Sequence, residues 1–83
     1  MNNDQNYTTV IFSGVEDTAK FIEVVKKQSP FHIAKIHEQN NGLVAILFEG
    51  FQSNDPNGYF KSFTEYFGFP NVIIRVAVGN IFA

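Results

Sequence analysis

The chain contains no cysteine and no tryptophan in 83 residues. Without cysteine there is no disulfide to close a loop and no thiolate to hold zinc. Charge is scarce as well. Six Lys and Arg against eight Asp and Glu give a formal net charge of -2, too weak a field to gather nucleic acid or anionic lipid by charge alone. No apolar run approaches the roughly 18 residues of a membrane-spanning helix; the longest, Leu43 to Phe48, is strand-sized. Met1 to Asn6 is polar and has no basic residue, unlike a secretory signal. The expected compartment is the cytoplasm, where the sequon spacing of Asn6-Tyr7-Thr8 has no meaning.

What is present is phenylalanine, ten residues of it, within a chain that is 45% apolar. This length supports one core and no more, and apolar packing must hold it without covalent help. The expected organisation is a flexible N-terminus over 1–6 and a single domain over 7–83.

Tyr7 to Phe12 is rich in β-branched and aromatic residues and reads as a strand. Ser13 and Glu16 have capping-box spacing, and Asp17 is a second N-cap candidate, so the first helix starts at one or the other. Thr18, Phe21, Ile22 and Val25 make one apolar stripe, and Pro30 ends the helix. Phe31 to Gln39 and Leu43 to Phe51 read as a hairpin around Asn40-Asn41-Gly42. A three-residue loop with Gly42 left-handed collects Ala34, Ile36, Val44, Ile46 and Phe48 on one face, and it keeps Lys35 and His37 off the core. Asp55-Pro56 opens a second helix as N-cap and first helical residue. Its expected buried stripe is Tyr59, Phe60, Phe63, Tyr66 and Phe67, with Lys61, Ser62, Thr64 and Glu65 toward water. Gly68, Phe69 and Pro70 end it. Val72 to Val78 is a final strand, and Gly79 suggests a bend before the apolar residues Ile81-Phe82-Ala83.

The order β-α-β-β-α-β, with right-handed crossovers, gives an α+β two-layer sandwich. It resembles the ferredoxin-like plait, which implies a four-stranded antiparallel sheet in the order 4-1-3-2 with both helices on one face.

Candidate chemistry is thin. His32 and His37 are five apart on one strand, which puts them on opposite faces and prevents joint metal binding unless a bulge intervenes. Ser13 sits in no Gly-x-Ser-x-Gly elbow. Gly14 occupies a strand-to-helix turn suited to phosphate, but Glu16 and Asp17 follow and repel an anion there. The expectation is a non-enzyme with no cofactor and no metal.

Three families share this topology. Acylphosphatases place an Arg in the first strand-to-helix turn, and Ser13 to Asp17 has none. Ile11-Phe12-Ser13-Gly14-Val15 and Asn41 to Phe48 loosely resemble the two signatures of the RNA recognition motif, with Phe12 at a stacking position. Leu43 and Ala45 stand where the other stacking aromatics belong, and base stacking needs those π-faces. Asp17 to Ile36 resembles the helix-to-strand run of ACT-type regulatory domains, which implies a small-ligand sensor, although Thr18-Ala19 stands in place of their Pro-Gly.

With both helices on one side, the other sheet face is uncovered. Ile11, Leu43, Ala45, Leu47, Ile73 and Ala77 are assigned to it, with Lys35, His37 and Arg75 among them; Val10 and Phe12 exchange roles with Ile11 if the first strand is turned over. An apolar patch of this kind marks an interaction surface; the alternative is that the chain ends, or Phe51 and Phe82, partly cover it. The expected partner is a protein, either a second copy in a C2 dimer or a different chain selected as acidic by the three basic residues.

Overall fold

A computed structural model describes residues 7–39, 41–50 and 55–78. They form β1 (Tyr7–Ser13), α1 (Thr18–Gln28), β2 (His32–Gln39), β3 (Leu43–Glu49), α2 (Pro56–Tyr66) and β4 (Ile73–Val78). The four strands make one sheet in the order β2-β3-β1-β4, every neighbouring pair antiparallel. Read from the other edge, this is the expected 4-1-3-2. The expected flexible N-terminus, the bend at Gly79, and the positions of Phe51 and Phe82 lie outside the described residues.

Asp17 opens α1, and its Oδ1 accepts the Lys20 N–H at 3.1 Å, which decides between the two candidate caps. Ser13 therefore ends a strand and does not cap a helix. Asp55 opens α2 in the same way, accepting the Gly58 N–H at 3.1 Å, with Pro56 in the first turn. At the far end of α2, Phe69 N–H donates to the Thr64 carbonyl at 2.7 Å and Gly68 N–H to that of Glu65 at 3.3 Å. This is the paired closure of a Schellman motif, with Gly68 at φ +94°. The Phe69 ring then turns to α1 and meets Phe21 edge-on at 5.0 Å.

Both helices cover the same face of the sheet. Phe21 and Val25 from α1 and Phe60 from α2 are buried with Val10, Phe12, Val44, Ile46 and Phe48. This settles β1: Val10 and Phe12 face the helices, and Ile11 faces away. Phe12 contacts Phe21 at 4.9 Å and Phe60 at 5.8 Å, both edge-on, and Phe48 stacks on Phe60 at 5.1 Å. Such ring pairs add about 0.5–1.5 kcal/mol each beyond the area they bury.

Two expectations are overturned. The β2–β3 loop has three residues, with Gln39 opposite Leu43 and Ile36 opposite Ile46 as expected, but the register slips between Ile33 and Lys35. Ile33, not Ala34, lies opposite Phe48 and packs on the core, and Ala34 is exposed. A bulge lets Ile33 and Ile36, three apart, both face inward. On α2 Phe60 is buried and Tyr59 and Phe63 pack partly buried on the core as expected, but Thr64 is buried instead of facing water and Tyr66 is 82% exposed. Thr64 fits because its hydroxyl donates to the Lys61 carbonyl at 3.0 Å, so its buried oxygen is paired.

Candidate interaction surface

Strand register places all nine candidate residues on the face away from the helices. His37, Ala45, Ile11 and Arg75 form one row across the four strands, and Lys35, Leu47, Thr9 and Ala77 form the next. Leu43 lies opposite Gln39, and Ile73 lies opposite Ser13.

Their exposure divides them. Leu47 is 3% exposed and Ala45 is 5%. Thr9, which sequence reasoning did not single out, is fully buried between them and β4. Ile11, Leu43 and Ala77 are half-buried, and Lys35, His37, Ile73 and Arg75 are exposed. The expected continuous patch is therefore corrected to two rims around a closed centre, and Ala45 and Leu47 are not accessible to a partner. One rim runs along β2 with Lys35 and His37. The other runs along β4 with Ile73 and Arg75.

The two rims differ in chemistry. β2 is interrupted by the bulge at Ala34 and carries charge along its length, features that discourage another strand from pairing with it. β4 pairs with β1 without a break over Ile73–Val78 and has one charge and no proline. Among the described residues its only strand neighbour is β1. Ile73, at its start, is 63% exposed. At the start of this strand a groove of about 460 Å³ is lined by Asn57, Gly58 and Lys61 of α2 and by the stretch Pro70 to Ile74. Successive strand residues point to opposite faces, so a cavity touched by Ile73 and Ile74 together wraps the strand's outer edge.

The histidines behave differently from expectation. The bulge between them changes parity and turns both to the same face, His32 opposite Glu49 and His37 opposite Ala45. Four strand positions separate them, roughly 13 Å, and no group of three metal-ligating side chains exists among the described residues. His32 Nε2 lies 3.8 Å from Glu49 Oε1 instead.

Phe12, the stacking position of the RNA-motif resemblance, is fully buried under the helices, so it offers no ring to a base. Beside Gly14 a cavity of about 240 Å³ is lined by Glu16, Asp17, Lys20, Phe69 and Val72 among others. It is smaller than the roughly 300–1,000 Å³ usual for small-molecule sites. A second apolar surface lies on α2, where Tyr59, Phe63, Tyr66 and Phe67 line a shallow groove of about 550 Å³ with Pro30. No helix among the described residues is long and apolar enough to cross a membrane.

No protein-family profile, curated protein or solved structure matches the chain.

Proposed function

We propose that this chain is a ferredoxin-like plait that serves as a non-catalytic protein-interaction module and engages its partner through the β4 rim of the sheet. The observation that carries this reading is Ile73. It is a large aliphatic side chain, 63% exposed on a strand whose only strand neighbour among the described residues is β1, beside the exposed Arg75 and next to a groove at the strand's start. Exposed edges are ordinarily blunted by charge, proline, bulges or a covering element. The opposite edge, β2, has such features; it too borders a groove, of about 540 Å³ over Phe31 to Ile36, so it is the bulge and charge of β2, not the groove, that support assigning contact to β4.

The α2 groove is also apolar, but it offers side chains only. An edge strand adds a row of backbone donors and acceptors, which gives affinity and direction together.

The test is capture of binding proteins from an extract of the cells that make this chain, using wild type, Ile73→Asp and Glu23→Ala as baits. Glu23 lies on the exposed side of α1. Proteins held by wild type and Glu23→Ala but lost with Ile73→Asp support the reading. A bound set indifferent to position 73 contradicts it. Light scattering of the purified chain shows whether the partner is a second copy.

A further inference from the structure

We infer that the partner of β4 is an extended, acidic segment of another chain, which adds to the sheet as a fifth strand. This rests on the proposal above and specifies the partner's chemistry. Three observations carry it.

The first is the shape of the groove. It lies between the first two turns of α2, with Asn57, Gly58 and Lys61, and the stretch Pro70 to Ile74, where the loop before β4 leads into the strand's first two residues. A slot between an edge strand and a helix admits an extended backbone, which pairs with the strand while alternate side chains enter the slot. The second is the half-burial of Ile74 and Val76. They pack on the core from β4, yet they stay partly exposed, whereas Val10 and Phe12 on neighbouring β1 are fully buried. A strand laid outside β4 covers them.

The third is charge, and it separates another chain from a second copy. Lys61 stands in the groove on the helix side and Arg75 on the opposite face of the same strand. Both are exposed, and neither forms an ion pair with a described residue. Glu65, one helical turn beyond Lys61, is not within ion-pair distance of it. Glu16, Asp17 and Lys20 line a cavity that shares Pro70, Asn71 and Val72 with the groove, and the Asp55 carboxylate is engaged at the α2 N-terminus, where it accepts the Gly58 N–H. Two β4 strands paired antiparallel along their length about a dyad perpendicular to the sheet set the two Arg75 side chains opposite or diagonal to each other. Like charges so placed destabilise a ladder. An incoming strand with adjacent acidic residues presents one carboxylate to each face, since neighbours alternate. One then meets Lys61 and the other Arg75.

The test uses two synthetic peptides, labelled with fluorescein at the N-terminus and C-amidated: Thr-Val-Thr-Glu-Glu-Val-Thr-Val and its Lys-Lys counterpart. Binding is followed by fluorescence anisotropy at low salt, and amide protection in the protein by NMR hydrogen exchange. The expected result is that the Glu-Glu peptide binds roughly tenfold more tightly than the Lys-Lys peptide and slows exchange at alternate β4 amides. The double variant Lys61→Glu/Arg75→Glu reverses the preference. Equal affinity for the two peptides, or protection confined to another element, overturns the inference. So does concentration-dependent dimerisation through β4. If the double variant still captures the Ile73-dependent proteins from extract, the acidic-strand inference fails while the interaction reading stands. If capture never depends on Ile73, that underlying reading fails.

Discussion

At Gly42 the backbone adopts φ +79°, and its carbonyl accepts the Val15 N–H at 3.0 Å. A Cβ there would lie 2.7 Å from the Val15 carbonyl oxygen. The hairpin tip and the β1–α1 loop are thus joined at a residue that tolerates no side chain. Gly50 has nearly the same φ, +78°, but a Cβ there meets no described atom within 4 Å. Gly50→Ala is expected to cost about 1 kcal/mol, the left-handed penalty alone. Gly42→Ala is expected to cost about 1–3 kcal/mol more, from the added overlap. Urea midpoints of the two variants check this, and equal losses would mean the loops part freely. A second prediction concerns Leu47. It points away from the helices and was expected to be free, yet it is buried within a single chain. Leu47→Asp is therefore expected to destabilise by about 3–5 kcal/mol, as an uncompensated buried charge does. Denaturant unfolding measures it directly. The left-handed Gly42 was legible from Asn-Gly at a hairpin tip. The closure over Leu47, Ala45 and Thr9 was not, because strand alternation assigns a face without saying what lies above it.

Elements were legible where local chemistry decides them. Asp17 and Asp55 as N-caps, Pro56 in the first turn, and Gly68-Phe69-Pro70 as a stop each rest on a short-range hydrogen bond or a fixed dihedral. The errors arose where two patterns compete. In β2, reading strict alternation placed Ala34 inward, although Ile33 and Ile36, both apolar and three apart, already signalled the extra residue. In α2, five aromatics in nine residues exceed what one stripe can bury, and hydrophobicity alone does not choose among them. Packing buries Phe60 with the small, self-satisfied Thr64 and leaves Tyr66 outside. Phe60→Ala is accordingly expected to lose about 3–5 kcal/mol and Tyr66→Ala less than about 1 kcal/mol. Similar losses from both, measured by thermal or chemical unfolding, would place the centre of α2's buried face between them, about a sixth of a turn from Phe60.

For the whole molecule, the sheet order followed from element order and connection rules, because few topologies join two β-α-β units without crossing connections. The functional surface was less legible. Sequence assigned nine residues to one face, and the sheet divides them by edge into a bulged, charged β2 rim and an even, aliphatic β4 rim. The expected order already made β2 and β4 the edges, but the bulge in β2 and the exposure of Ile73 are visible only in the structure. Because Ile73 is exposed, Ile73→Asp is expected to change stability by no more than about 0.5 kcal/mol while abolishing partner capture. The most direct test of the account is a photo-crosslinking side chain placed at position 73, compared with the same group at position 23, in extract of the producing cells. A discrete adduct with a second protein is expected from position 73 and none from position 23. Adducts of equal yield from both positions, or from position 23 alone, would contradict it.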